Sequence, residues 1–312
     1  MIEHYVTLFD RGFLANGLAL HASMQRHAGD FVLWVVCMDD QTHDLLSELD
    51  LPTMQPIRLA EVETEELREV KAQRSRVEYC WTLTPFTPDF VFERARDAER
   101  ATYIDADMCL AHDPTTILDE LERSGASALL TEHAYAPAFE QAAEHGIYCV
   151  QFMPFERERS RDIRQWWQDR VIEWCFATPS QGRFGDQKYL DDWPERFGAL
   201  VHVLAEPQWT QAPWNATRFD VRDAITYHFH QLRTVSSRRV LVGLYPLPKA
   251  HIRLFYLPYL RDLRRAYRDL AALGYEPSPQ SGLRSGWRGI KDRIAFRVQG
   301  ARRLRTPRTL NF

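Results

Sequence analysis

The chain predicts an α/β fold, a mostly parallel mixed sheet with helices on both faces. Three observations lead there. Short apolar runs of strand length alternate with segments of helical spacing through the first hundred residues. The longest strongly apolar run, Phe31 to Met38, is strand-sized and far short of the roughly 20 residues of a spanning helix. Across 312 residues, 45% apolar and 26% charged side chains supply one substantial core and a solvated surface.

Tyr5–Phe9 reads as the first strand, and Leu14, Leu18, Ala22 and Met24 follow at near-helical spacing. Phe31–Met38 is the second strand and ends in Asp39-Asp40. Thr42–Leu49 has helix-forming composition and stops before Pro52. Ile57–Leu59 is a short third strand, and Glu61–Arg76, rich in Glu, Lys and Arg, is a solvated helix. A helix through Asp89–Asp97 follows Pro85 and Pro88. Thr102-Tyr103-Ile104 is a strand ending in Asp105-Ala106-Asp107, so this half has the pattern of a nucleotide-binding unit with its ligand at the strands' C-terminal ends. Beyond Asp113-Pro114 come the helix Thr116–Arg123 and the strands Ala126–Thr131 and Ile147–Phe152. The helix Asp162–Phe176 carries Trp166, Trp167 and Trp174, which read as core. A short helix opens at Gly185-Asp186-Gln187, and Val201–Leu204 and Thr226–Phe229 are extended.

The charge is unevenly placed. Thirty-nine basic and 43 acidic residues give −4 overall, too balanced for a nucleic-acid partner. Arg284–Phe312 holds nine basic residues and one acid, a net +8 that leaves −12 on the rest. Trp287, Ile290, Ile294, Val298 and Leu304 recur among those arginines at near-helical intervals, and Tyr259–Leu273 has a similar pattern. Two readings stay open: a basic amphipathic region lying on an anionic membrane, or helices packed on the acidic body. Residues 1–250 are assigned to the main domain and 251–312 to this basic, helical extension.

Cys37, Cys80, Cys109, Cys149 and Cys175 are odd in number and widely spread, which argues against a disulfide framework and a structural zinc site. The N-terminus lacks a signal-peptide pattern, so a cytoplasmic protein is expected.

The sharpest chemical signal is Asp105-Ala106-Asp107 at a strand end. If the segment is extended, residues 105 and 107 point to one side and address one divalent cation, which keeps positions for phosphate oxygens. His228-Phe229-His230 places two imidazoles to one side in the same way. Either histidine completes a mixed carboxylate–imidazole site, whose nitrogen favours Mn²⁺ over Mg²⁺.

Taken in order, the blocks Thr7-Leu8-Phe9, Arg74-Ser75, Tyr79-Cys80-Trp81-Thr82-Leu83-Thr84-Pro85, Tyr103-Ile104-Asp105-Ala106-Asp107, Asp113-Pro114, Gly146-Ile147-Tyr148-Cys149-Val150-Gln151-Phe152, Gly185-Asp186-Gln187-Lys188-Tyr189-Leu190-Asp191-Asp192-Trp193, Ala212-Pro213-Trp214-Asn215 and His228-Phe229-His230 resemble a known group. It is that of bacterial nucleotide-diphospho-sugar glycosyltransferases of surface-polysaccharide synthesis. More distantly the chain is similar to the retaining glycosyltransferase family 8, of GT-A fold, over approximately residues 4 to 260.

The resemblance implies a donor, a UDP-hexose, and a saccharide or lipid-linked acceptor at the cytoplasmic membrane face. It implies that Asp105 and Asp107, with Ala106 between them, hold Mn²⁺ (or Mg²⁺) and the donor's diphosphate. His228 is the third ligand, with His230 as runner-up. Thr7, Leu8 and Phe9, joined by Asp10, contact the nucleoside, and Arg74 bridges donor and metal. Asp186 and Gln187 face the transferred sugar, as carboxylates do at oxocarbenium-like centres. Two departures stand out: Gln231 replaces the glycine of a His-Phe-x-Gly motif, and the Lys-Pro-Trp that follows it is missing, which leaves Arg233 as the nearest cation.

Three rival readings fit the sequence less well. A sugar-nucleotide pyrophosphorylase needs a glycine-rich basic phosphate loop after the first strand, and Phe9-Asp10-Arg11-Gly12-Phe13 has one glycine. An aspartyl phosphatase carries Asp-x-Asp on its first catalytic strand, not after a hundred residues of α/β structure. A non-catalytic sugar-nucleotide or polysaccharide binder on the same fold would have lost Asp186 or a carboxylate of the Asp105/Asp107 pair, and all are present.

Overall fold

The computed structural model describes residues 2–236, 239–276 and 309–311. Its central sheet has eight strands: β1 (Glu3–Phe9), β2 (Phe31–Cys37), β3 (Met54–Arg58), β4 (Arg100–Ile104), β6 (Ala128–Glu132), β7 (Tyr148–Cys149), β8 (Phe152–Glu156) and β9 (Val201–Val203). The order is β3-β2-β1-β4-β8-β6-β7, with β9 beside β6. β1 to β4 run parallel, β8 is antiparallel to both β4 and β6, and β9 is parallel to β6. A mostly parallel start and a reversed strand past β4 make the sheet mixed, as expected.

Alternation along β1 explains how the sheet seals both faces. Tyr5 and Phe9 enter one apolar cluster and Val6 and Leu8 the other, because successive side chains point to opposite sides. The first cluster is covered by the helices Leu14–His27, Asp40–Leu49, Thr115–Ser124 and Leu257–Ala272. The second is covered by Arg76–Leu83, Thr87–Arg94 and Arg161–Glu173. Phe9 lies so close over Gly17 of the first helix that a Cβ there would stand 2.4 Å from its ring, which only glycine permits.

Two smaller sheets complete the body. β10 (Thr210–Gln211), β11 (Thr226–His228) and β5 (Met108–Leu110) form one, with β11 antiparallel to β5 so that His228 faces Met108. β12 (Arg233–Ser236), β13 (Arg239–Leu241) and β14 (Thr309–Asn311) form the other.

Three expected elements differ. The charged stretch Glu61–Arg76 is not one helix: Glu65–Lys71 ends, and a second helix begins at Arg76. The reason is a capping box in which the Ser75 hydroxyl accepts from Glu78 N and the Glu78 carboxylate accepts from Ser75 N at 2.8 Å. The expected strand Ile147–Phe152 is broken at Val150-Gln151, so β7 pairs with β6 while β8 turns to β4. Asp105–Asp107 is a turn rather than an extended segment, closed by Met108 N donating to the Asp105 carbonyl at 3.2 Å.

The helix Leu257–Ala272, inside the segment read as an amphipathic extension, buries Tyr259, Leu260, Leu263, Ala266 and Leu270. It is pinned to the first helix by Arg26–Asp262 at 2.7 Å and by Asn16 Nδ2 donating to the Tyr259 hydroxyl at 3.0 Å. Its apolar stripe is core; the arginine-rich residues after 276 lie outside the described residues apart from 309–311. Among the described residues no helix is long and apolar enough to cross a membrane.

Candidate active site

The apolar strand β4 delivers Asp105 and Asp107 to the sheet's C-terminal edge. Asp105 N donates to the Gln151 carbonyl at 3.1 Å, which extends the β4–β8 ladder one residue beyond the Ile104–Phe152 pair. Phe229 N donates to the Asp107 carbonyl at 2.8 Å, which fixes His228 beside the turn. The outcome is one cluster: His228 Nε2 is 3.2 Å from Asp107 Oδ1 and 3.8 Å from Asp105 Oδ2. One ligand atom from each residue lies within 4.8 Å of the others. The carboxylates converge because the turn folds them together. Ala106 between them is buried.

Electrostatics follow from this crowding. Burial pushes both carboxyls up, and the His228 ring opposes it; Asp107 ends below the ordinary carboxylate range, while Asp105, facing a second carboxylate, stays above it. Burial works against a charge on His228, and the Asp107 carboxylate overrides it, so this imidazole is held well above its usual value. The Tyr103 hydroxyl donates to Asp105 Oδ1 at 2.8 Å.

The cluster opens into a cleft of about 430 Å³. Asp186 lies in its wall, buried, and burial together with the charge of Asp105 raises its carboxyl to about 8. The Trp167 indole Nε1 donates to the Asp186 carbonyl at 2.9 Å. Gly185, at φ +52°, lets the chain pass the Trp81 ring, where a Cβ would stand at 3.2 Å. Gln187 uses its amide to donate to the His145 carbonyl at 2.7 Å, which clamps the loop before β7 onto the Asp186 turn. His230 also lines the cleft, its ring 5.8 Å from that of His228, but it stands outside the three-residue cluster; burial holds it down at about 4.

Other expected residues sit elsewhere. Thr7, Leu8 and Phe9 are buried in β1 and do not line the cleft. Asp10 caps the turn Arg11–Phe13 through Gly12 N at 2.7 Å and pairs with Arg76 Nε at 2.7 Å; Arg76 also reaches Asp39 Oδ2 at 2.8 Å. Arg74 is not brought to the cluster. It donates to the Thr82 hydroxyl and, at 2.7 Å, to the Ile172 carbonyl, and lines a separate cleft of about 350 Å³ with Asp39, Lys71 and Arg76. Arg233 is exposed on β12 and outside the cleft lining, though its charge bears on His230.

Gln231 explains the first departure. It holds φ +64°, the left-handed region that a glycine adopts freely, and its Oε1 accepts from Leu244 N at 3.2 Å. A Cβ on Gly243 would meet the Gln231 Cβ at 2.9 Å, so the glycine at 243 leaves room for this side chain.

Sequence reading missed His133, Tyr135, Gln151 and Tyr245. His133 and Tyr135 stack at 4.8 Å beside Trp214, and burial keeps His133 down at about 3. Their signal was available, since they directly follow the C-terminal end of β6, where ligands of open α/β sheets bind. Of the tryptophan trio, Trp167 is fully buried, and Trp166 and Trp174 are half-buried beneath the guanidinium groups of Arg196 and Arg183.

No protein-family model matches the chain. It is 30% identical to the uncharacterized protein YfnF of Bacillus subtilis (strain 168) over 259 residues, 77% of this chain and 85% of that protein. It is also 30% identical to YfnD of the same organism over 280 residues, 84% of this chain and 89% of that one. Among solved structures, mouse xyloside xylosyltransferase 1 superposes with a TM-score of 0.52 at 14% identity, covering 74% of this chain and 98% of the other. That likeness shows the fold: a GT-A architecture with a helical C-terminal segment.

Proposed function

The chain belongs to the family of the Bacillus subtilis proteins YfnF and YfnD and has the GT-A fold; from that premise we propose that it is a metal-dependent glycosyltransferase. It moves a hexose from a nucleotide-diphospho-sugar, UDP-linked, to a saccharide or lipid-linked saccharide in surface polysaccharide or lipopolysaccharide synthesis, with the anomeric configuration retained.

The observation that carries this reading is the convergence of Asp105, Asp107 and His228 at the mouth of a cleft whose wall holds Asp186. Two carboxylates and an imidazole suit a hard divalent cation, and the nitrogen tilts the preference to Mn²⁺. Bound by these three residues, the ion would offset the charge of a departing diphosphate. Among the described residues no lysine or arginine lines the cleft, while three aspartates do, so an anionic donor needs a cation there.

The chain's own groups supply the rest. Asp186, its carboxyl raised to about 8, donates a hydrogen bond to a sugar hydroxyl when protonated and, once ionised, favours positive charge at the anomeric carbon. Gln187 holds the His145 loop that closes this side. The aromatic wall of Trp81, Phe184, Tyr135 and Trp214 offers flat apolar faces to sugar rings and keeps water away. The nucleoside lies toward the end of β1. There the buried side chains of Thr7, Leu8 and Phe9 leave the main chain to make contact, with Asp10 held in place by Arg76. Arg233, exposed on β12, is a cation outside the cleft whose charge bears on His230.

A lipid-linked acceptor puts the enzyme at the cytoplasmic face of the membrane. Support comes from the outer side of the last described helical run, where Arg253, Leu254, Leu257, Arg261, Arg264, Arg265 and Arg268 are all exposed at helical spacing.

A screen of nucleotide sugars for Mn²⁺-dependent hydrolysis and thermal stabilisation tests the reading, paired with calorimetric titration of UDP. Chelation should weaken UDP at least about tenfold, or 1.4 kcal/mol. Equal affinity with and without metal would remove the metal's role, and neither turnover nor stabilisation by any nucleotide sugar would remove the transferase.

A further inference from the structure

Gln151 occupies the break between β7 and β8 and is fully buried. Two different parts of it touch two different members of the carboxylate–imidazole cluster. Its main-chain carbonyl accepts from Asp105 N at 3.1 Å. Its side-chain Oε1 stands 3.1 Å from His228 Nδ1. On the opposite side, Phe229 N donates to the Asp107 carbonyl at 2.8 Å. The contacts close a ring running from Gln151 to Asp105, through the turn to Asp107, across to the Phe229 backbone, and from His228 back to Gln151. Only the last link is between two side chains, so it alone is set by the residue type at 151.

We infer that Gln151 is a positioning residue that fixes the tautomer and the tilt of His228. An amide oxygen only accepts, so the nitrogen facing it must carry the proton: Nδ1–H donates to Gln151 Oε1. The other nitrogen, Nε2, is then the one turned toward the two carboxylates, 3.2 Å from Asp107 Oδ1, where a cation would take the place of its proton. A ring held at one nitrogen cannot flip, and the partner oxygen raises the donor strength of the far nitrogen, as outer partners of metal-bound histidines do. The amide is also costly to keep here, because its Nε2 is buried without a partner. A methionine would fill the same space without that orphaned donor, so packing alone does not explain the residue. Nothing in the local sequence marks the position; Val150-Gln151 reads as the middle of an apolar strand.

The inference rests on the proposed metal site, and the experiment separates the two. Mn²⁺ affinity is measured by electron paramagnetic resonance on the full chain for wild type, Gln151→Met and Gln151→Glu. The Glu variant keeps an acceptor at the same place, and the Met variant deletes it. In parallel, the slowly exchanging downfield imidazole N–H of His228 is followed by NMR in metal-free protein and assigned through His228→Asn. The expected result is a protected N–H in wild type and in Gln151→Glu and its loss in Gln151→Met, with Mn²⁺ bound about 10–100-fold more weakly by the Met variant and within a few-fold of wild type by the Glu variant. If wild type binds no Mn²⁺, the metal reading falls, yet the N–H still decides what Gln151 does to the ring. If wild type binds Mn²⁺ and Gln151→Met matches it with the N–H unchanged, the positioning role is overturned. The wild-type spectrum needs no variant to fold, and absence of a protected N–H there overturns the role by itself.

Discussion

The indole of Trp167 donates its Nε1–H to the backbone carbonyl of Asp186 at 2.9 Å. A side chain at the centre of the core is thus tied to the carboxylate-bearing turn in the cleft wall. The helix Arg161–Glu173 brings the indole there, and Trp193 packs edge-on against it at 5.4 Å.

Trp167→Phe keeps an aromatic ring in the core but leaves the Asp186 carbonyl buried without its donor. The expected cost is about 1–3 kcal/mol in urea or thermal unfolding, with transfer falling further than UDP binding. Unchanged stability and turnover together would show that the link holds nothing in place.

Asp186→Asn preserves shape and hydrogen bonding while removing the ionisable group. Nucleotide affinity should stay within a few-fold, while kcat drops by about 10²–10³-fold, the scale of one electrostatic stabiliser at a reacting centre. Turnover equal to wild type would strip the residue of its proposed part.

His21 and His251 are buried, and burial holds both at about 4. His21 touches the Thr53 hydroxyl at 2.7 Å and His251 the Gln211 amide oxygen at 3.1 Å. The unfolded chain binds these protons near pH 6.5, whereas the folded chain does not until about pH 4. Their contribution is therefore complete above about pH 6.5 and is lost as pH falls toward 4. Unfolding midpoints should decline through that window, and His21→Gln should flatten the decline by about 3 kcal/mol. A variant curve parallel to wild type would exclude His21 as a source.

On the membrane side, replacing Arg261, Arg264, Arg265 and Arg268 with Glu should release the full chain from vesicles of mixed phosphatidylglycerol and phosphatidylcholine. Each surface arginine contributes about 1 kcal/mol near an anionic bilayer. Co-sedimentation that survives the four substitutions would move any lipid contact away from this helix.

The succession of strands along the first hundred residues and the Asp105/Asp107 pair were legible because they rest on local pattern: a short apolar run ending in acids marks both a strand and its terminus. The Glu61–Arg76 stretch was misread as one helix because composition outweighed a visible capping signal, Ser75 followed three residues later by Glu78. The role of Gln151 was not legible, since it depends on a strand break and on a histidine 77 positions away. The resemblance implies Arg74 at the donor; its two terminal nitrogens instead donate to the Thr82 hydroxyl and the Ile172 carbonyl, partners that only the fold supplies. Gln231 looked like a loss of the glycine, and the structure shows the same left-handed backbone carried by another residue.

With no lysine or arginine in its described lining to meet a diphosphate, a pocket furnished with carboxylates and aromatic rings would draw that positive charge from solution. On the proposed reading, donor occupancy then tracks the free divalent-ion level of the cell, and sugar flux through the enzyme becomes a gauge of metal supply. Starvation for that ion would idle the enzyme while leaving its fold and its acceptor supply intact.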